Sequence, residues 1–431
     1  MRVVSITSAE IESNPRGIRA DISPPSDEVE ASVREIVEGV KNGGDDALFR
    51  YTKRFDNCDI DASSVRVSDE EMERASGLVS DRIKEDLIAA AERVRVYHEK
   101  KLPTDYTFRD SLGNELGWLV RPVERVGIYV PGGKAAYPST VLMTVIPALV
   151  AGVERISLVT PTPDGELNPA VLVAAGIAGG ATSIYKIGGA QAVAALAYGT
   201  ESVPGVDKIV GPGNVYVALA KKYVYGVVDI DMIAGPSEVL VIADGSCPAS
   251  WVASDLLAQA EHDELAVPIM VTTSDEYARE VSTEVGRRLA GLERREIAEV
   301  AINNQGRIFV VESLQNAAAL ANAIAPEHLE ICTESPESML PLIRNAGAVF
   351  LGTLSTEAFG DYVAGPSHVL PTGGAARFSS PLSVFDFIKM PSTISFSRKG
   401  FDALSDAVMN LAYSEGLEAH ALSVKVRSDR T

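Results

Sequence analysis

The sequence predicts an α/β protein built from two duplicated parallel-sheet domains, with a helical region before them and a tail after them. Three observations carry this. Short β-rich runs alternate with Ala-rich helical stretches from Leu116 onward, which is the pattern of βαβ units with helices on both faces of a parallel sheet. The alternation then occurs a second time. Two segments also repeat almost residue for residue: Gln191-Ala-Val-Ala-Ala-Leu-Ala matches Gln315-Asn-Ala-Ala-Ala-Leu-Ala, and Ala234-Gly-Pro-Ser-Glu-Val-Leu matches Ala364-Gly-Pro-Ser-His-Val-Leu.

Residues 1–115 read as an N-terminal helical region. Val29, Val33, Ile36, Val37 and Val40 recur at helical spacing after Ser26-Asp27, and Asn42-Gly43-Gly44 is expected to stop that helix. Ser68 and Glu71 form a capping box, and a further helix carries Ile83, Leu87, Ala91 and Val94. The first α/β domain spans 116–237, with strands at 126–130, 156–160, 183–187 and 208–210 and helices at 139–151 and 190–198. The second spans 238–375, with strands at 239–243, 267–272, 307–311 and 329–332 and helices at 251–260 and 317–325. The crevice between the two is the expected site. In the tail, 376–431, a helix near 400–414 ends at Gly416. Leu422, Val424 and Val426 then alternate with polar residues and read as a strand that must pair with some sheet edge, on this subunit or another.

Bulk properties narrow the function. A chain of 431 residues exceeds one compact core. Its 59 acids against 39 bases give a net charge of -20, which repels phosphate backbones and argues against nucleic acid as a partner. The three cysteines, Cys58, Cys247 and Cys332, are scattered and suit a reducing compartment. No apolar signal core opens the chain, and the longest apolar stretch, 139–153, is too short to span a bilayer and contains Pro147. The expected location is the cytoplasm, with no membrane contact.

Five histidines bound the chemistry: His98, His262, His328, His368 and His420. His98 sits in a charged helix and is expected to be solvated. Gln259 and His262 end a helix three positions apart, so both can face one ion, although the segment alone reads more readily as a polar helix end with two solvated side chains. Asp361 could add an anionic oxygen and His420 a second nitrogen, a mixed N/O set suited to Zn²⁺ or a neighbouring divalent ion. Glu327-His328 stands at a strand entry, where His is a suitable base for an alcohol proton and Glu for water; a surface loop is the competing reading. Glycine turns at 131–133, 188–190 and 211–214 could admit phosphate, but tight βα turns need glycine anyway and no GxGxxG fingerprint follows the first strand.

Read together, Val-Gly-Ile-Tyr-Val-Pro-Gly-Gly (126–133), Gly-Gly-Ala-Gln-Ala (188–192), Asp-Lys-Ile-Val-Gly-Pro-Gly-Asn (207–214), Ala-Gly-Pro-Ser-Glu-Val-Leu (234–240), Gln-Ala-Glu-His (259–262), Pro-Glu-His-Leu (326–329) and Glu-Gly-Leu-Glu-Ala-His (415–420) resemble the histidinol dehydrogenase family over nearly the whole chain. The resemblance implies incomplete Rossmann-like domains and two successive NAD-dependent oxidations, of L-histidinol to the aldehyde and on to L-histidine. It implies Zn²⁺ on Gln259, His262, Asp361 and His420. His328 becomes the base for the alcohol and Glu327 the activator of water. Ser237 and Glu415, with His328 and the metal ligands, meet the substrate, while Tyr129, Gln191 and Asn214 surround NAD. The family forms intertwined homodimers, so Glu415 and His420 on an exchanged tail would complete the partner's site. Ser367 stands before His368 where the family often has Asn, which leaves the role of His368 open.

Three other readings compete. A relative acting on another small polar alcohol, such as a sulfopropanediol, is opposed by the Glu415–His420 segment. An aldehyde dehydrogenase using Cys332 as nucleophile is opposed by the position of that thiol within a strand. A solute-binding protein is opposed by the missing export signal.

Overall fold

The computed structural model describes residues 1–13, 26–132 and 137–428. The chain opens with strand β1 (Arg2–Ser5) and a short helix α1 (Ser8–Ser13), then α2 (Asp27–Asp56), α3 (Asp69–Leu78) and α4 (Asp81–Lys101). Ser68 and Glu71 make the reciprocal capping box at α3. Gly44 does break α2, at φ 52° and ψ −137°, but the helix restarts at once. A Cβ there would lie 2.5 Å from Glu201 Oε2, whose carboxylate instead accepts the Asp45 N–H at 2.9 Å. The expected stop is therefore a kink that docks α2 on the first α/β unit.

Strands β2 (Tyr106–Arg109), β3 (Glu115–Trp118) and β4 (Arg121–Pro122) lead into β5 (Arg125–Tyr129), α5 (Pro138–Ala151), β6 (Arg155–Val159), α6 (Pro169–Ala178), β7 (Ala181–Tyr185), α7 (Gly189–Tyr198), β8 (Lys208–Val210), α8 (Val215–Val224) and β9 (Asp229–Ile230). Next come β10 (Glu238–Ala243), α9 (Ala249–Ala260), β11 (Val267–Thr272), α10 (Asp275–Leu289), α11 (Arg295–Asn304), β12 (Arg307–Val310), α12 (Leu314–Ile324), β13 (His328–Cys332) and β14 (Ala348–Leu351). The first sheet runs β7-β6-β5-β8-β9 and the second β12-β11-β10-β13-β14, all parallel. Both orders are third, second, first, fourth, fifth, so the duplication read from two short sequence matches is a duplication of topology. Strands β10, β11 and β13 are buried at every position, as sheets covered on both faces require.

The N-terminus departs from the helical expectation. Val3 and Val4 of β1 pair with Ile308 and Phe309, extending the second sheet beyond β12 and covering an edge that would otherwise stay open. His98 departs as well: it is fully buried on α4, and neither ring nitrogen has a hydrogen-bond partner among the described residues. Its flanks are charged, but helical periodicity places it one turn beyond buried Val94, on the face packed against α5.

After α13 (Glu357–Tyr362), strands β15 (Ile388–Lys389) and β16 (Ser392–Ser395) return to pair with β4 and β3. The tail ends in α14 (Arg398–Ser414) and α15 (Glu418–Ser428), so the alternation at 422–426 is helical and the expected terminal strand is overturned. Gly416, at φ 73°, turns the chain: its N–H bonds Tyr413 O at 3.0 Å and the Leu417 N–H bonds Ala412 O at 2.8 Å, a Schellman closure. Ala412 and Ala421 are then buried where α15 folds back on α14, and Ala421 lies one residue from the apparent alternation. Three apolar residues at alternate positions are too short a signal to separate strand from helix. Leu404, Val408, Leu411, Leu417, Leu422 and Val426 of this hairpin remain exposed.

Candidate active site

Four segments converge at the amino ends of the central strands of the second sheet. Helix α9 delivers Gln259 in its last turn and His262 just beyond it, with the His262 N–H on Gln259 O at 3.2 Å. Helix α12 ends on Ala325 in the left-handed region, at φ 55°, and the chain passes through Pro326 into Glu327 and His328. His328 opens β13 between Val239 and Ala348. Gly347 must be glycine for this approach, because a Cβ would stand 2.5 Å from Glu327 O. Helix α13 carries Glu357 and Asp361 four apart, hence on one face. Ligating atoms of His262, Glu357 and Asp361 all lie within 4.8 Å of one another.

Glu327 and His328 are both buried, which rules out the surface-loop reading. The Glu238 backbone holds the pair: its N–H donates to Glu327 Oε2 at 2.9 Å, and its carbonyl oxygen lies 3.0 Å from His328 Nδ1. A carbonyl only accepts, so Nδ1 carries the hydrogen and Nε2 keeps its lone pair, 3.9 Å from Asp361 Oδ1. His368 is held by Asp361 O at 3.0 Å and by Thr140 Oγ1 at 3.1 Å.

Burial dominates the electrostatics. It pushes the Asp361 carboxyl up to about 7 and those of Glu327 and Glu357 well above their ordinary range. It pushes the imidazoles down: His328 to about 3, His368 to about 4, and His262 below its usual value. Neutral imidazoles beside desolvated carboxylates are suited to a divalent cation, whose charge would favour every carboxylate at once. The amide, imidazole and carboxylate donors of Gln259, His262 and Asp361, with no thiolate, fit Zn²⁺ or a similar ion.

The first sheet meets this cluster with its carboxyl edge. Thr140, in the first turn of α5 after β5, reaches His368, and Ser367 Oγ donates to Met143 O at 3.2 Å. The cluster thus touches the first unit through Thr140 and Met143; the switch-point rule describes only the first sheet, and the second contributes strand entries. Tyr129 ends β5, Gln191 lies in the first turn of α7, and Asn214 caps α8, so all three stand at or just beyond the carboxyl ends of strands of the first sheet. Tyr129 Oη accepts the Gly189 N–H at 3.0 Å, and Asn214 Oδ1 accepts from Tyr216 N and Val217 N at 3.1 and 3.2 Å. Gln191 Nε2 is buried without a partner among the described residues, a donor that a nucleotide acceptor would satisfy. Of the three glycine turns, Gly133 lies outside the described residues.

Ser237 is half-buried ahead of β10, with its carbonyl on Val267 N at 2.9 Å. Glu415 and His420 are exposed on the tail. Among the described residues of one chain, no hydrogen bond or ion pair joins either side chain to the cluster. Glu357 was missed in the sequence; its spacing of four from Asp361 was the available signal. Cys332 lies at the far end of β13 from His328, roughly 13 Å along an extended strand, and is buried, so it is not a nucleophile at this site.

Comparison with known proteins follows the same lines. Residues 22–428 match the family model described as Histidinol dehydrogenase. The chain is 53% identical over 427 residues to a histidinol dehydrogenase of Syntrophotalea carbinolica, covering 99% of each, and 51% identical to that of Bacillus subtilis over 431 residues, covering 100% of this chain and 99% of the relative. The crystal structure of histidinol dehydrogenase from Elizabethkingia anophelis superposes with a TM-score of 0.94 at 38% identity, covering 99% of this chain and 98% of that one.

Proposed function

Because the chain belongs to the histidinol dehydrogenase family, we propose that its converging side chains divide the oxidation of L-histidinol, through L-histidinaldehyde, to L-histidine. The chain is an oxidoreductase of histidine biosynthesis, and neither another polar alcohol nor a thiol mechanism is favoured. No helix among the described residues is long and apolar enough to cross a membrane; we assign the enzyme to the cytoplasm.

One observation carries the assignment of roles: a buried, neutral His328 with Nδ1 tied to Glu238 O and Nε2 bare beside Asp361. His328 Nε2 takes the alcohol proton as hydride leaves the adjacent carbon. Glu327, whose Oε2 is engaged by the Glu238 N–H, has Oε1 left to take a proton from the water that adds to the aldehyde. Gln259, His262 and Asp361, with His420 of a second chain, would hold zinc, which when bound orients the imidazole and amine of the substrate. Ser237 and Glu415 would meet the same substrate. Tyr129, Gln191 and Asn214 would seat NAD, which when bound accepts each hydride.

We propose a homodimer with exchanged tails, which the exposed apolar hairpin supports; among the described residues of one chain, no hydrogen bond or ion pair joins His420 to the cluster. The division into 1–115, 116–237, 238–375 and 376–431 remains our proposed domain scheme. The test is stoichiometry: two NADH per histidinol consumed, abolished by a chelator and restored by zinc. One NADH per histidinol, or indifference to the chelator, overturns the reading.

A further inference from the structure

The metal set assigned above contains an amide, and an amide can turn. The Gln259 side chain has one end that donates lone pairs and one that carries two N–H groups, nearly identical in shape. Only the oxygen can meet a cation. Something must hold the amide the right way round, or part of the population presents N–H groups to the ion.

Three acceptors surround one end of this amide. Glu357 Oε1 lies 3.1 Å away, Glu357 Oε2 3.2 Å and Glu238 O 3.2 Å, so the nitrogen must occupy that end. The carbonyl oxygen then takes the opposite end, and it is the only atom of the amide able to meet a cation. Gln259 is fully buried and Glu357 almost so, at 3% exposure, so water does not compete for these bonds. Glu357 is itself anchored, since its backbone N–H donates to Glu330 Oε1 at 2.7 Å across to β13. We infer that Glu357 is a positioning residue: its carboxylate receives the Gln259 amide hydrogens and thereby turns the Gln259 oxygen toward the ion held with His262 and Asp361. This rests on the proposed metal site and goes beyond it, because it explains how a neutral, reversible ligand is committed to one orientation. Outer-shell partners of this kind are typically worth about 10–100-fold in metal affinity.

The competing role for Glu357 is that of a direct ligand, since its oxygen lies within 4.8 Å of the ligating atoms of His262 and Asp361. A double-mutant cycle on zinc affinity separates the two. Zinc dissociation constants of the full-length protein are measured by competition with a chromophoric chelator. Glu357→Leu should weaken zinc by about 10–100-fold. On a Gln259→Leu background the same change should cost no more than about threefold, because its target is gone. Glu357→Gln keeps an acceptor oxygen and should lose clearly less than Glu357→Leu. Unchanged affinity in Glu357→Leu overturns the inference, as does a full loss repeated on the Gln259→Leu background, or equal losses in Glu357→Gln and Glu357→Leu. Melting of the metal-free variants is followed alongside, and Glu357→Gln decides if Glu357→Leu does not fold. His262→Asn is the control for the premise: zinc retained there removes the metal site itself, separately from the result at Glu357.

Discussion

His328 Nδ1 lies 3.0 Å from the backbone oxygen of Glu238, while the N–H of that same residue holds Glu327 at 2.9 Å. One residue of β10 therefore sets the tautomer of His328 and the orientation of Glu327. The proposed roles put the two on different atoms, so their loss should be separable. His328→Asn is expected to slow the first hydride transfer by about 10²–10⁴-fold. Glu327→Gln should release one equivalent of NADH from histidinol and then stall at the aldehyde. Single-turnover absorbance traces check this, and equal slowing of the first transfer in both variants would be the contrary result.

The tail makes a prediction about assembly. Exposed Leu411, Leu417 and Leu422 on the α14–α15 hairpin need cover, and His420 is exposed beside them. If each tail completes the other subunit's site, inactive His262→Asn and inactive His420→Asn proteins should regain activity when mixed, because one site per mixed dimer has every ligand. No recovery after confirmed subunit exchange would place the whole site within one chain.

On the first unit, Lys221 and Asp231 form a fully buried ion pair that clamps the 211–214 turn. Lys221 Nζ donates to Gly211 O at 2.9 Å and Asp231 Oδ2 accepts the Gly211 N–H at 2.8 Å. Gly211, at φ 111°, packs so closely on Tyr129 that a Cβ would stand 2.1 Å from its carbonyl oxygen. Lys221→Met should cost about 3–5 kcal/mol of stability by stranding a buried carboxylate. It should also raise KM for NAD more than KM for histidinol. Denaturant titration and steady-state kinetics test both, and a rise in the histidinol KM alone would contradict the placement of NAD.

His98 makes the protein acid-sensitive. Burial, reinforced by Lys101, lowers its pKa from 6.5 to about 4. The unfolded chain therefore takes up a proton below pH 6.5 that the folded chain refuses until about pH 4, so stability falls as the pH drops through that window. His98→Leu removes this contribution. Relative to wild type, the variant should gain about 2 kcal/mol between pH 7 and pH 5, read from urea unfolding. A difference independent of pH would show that the histidine is not the group responsible.

The sequence by itself determined the elements of the two α/β units and their duplication, and it singled out the segments around 259–262, 327–328 and 361 that converge at the candidate site. Those features are written in short-range pattern. Runs such as 239–243 and 267–272 are apolar at every position because both faces of their strands are buried, and capping and glycine turns mark their ends. The sequence motifs also placed the family, since they run in order over nearly the whole chain. Other features were decided only by tertiary structure. Charged flanks made His98 read as solvated, but burial depends on which face α5 covers. Alternation at 422–426 made a helix read as a strand, because folding back on α14, not local pattern, selected it. Spacing alone puts Glu357 on the face of Asp361, but its contacts with Gln259 and Glu330 became visible only in the fold. A lone Glu in sequence has no sign of its partner, and its contact with Gln259 joins residues 98 positions apart along the chain (357 − 259). Hydrogen bonds that orient a site are set by three-dimensional proximity, which periodicity does not encode.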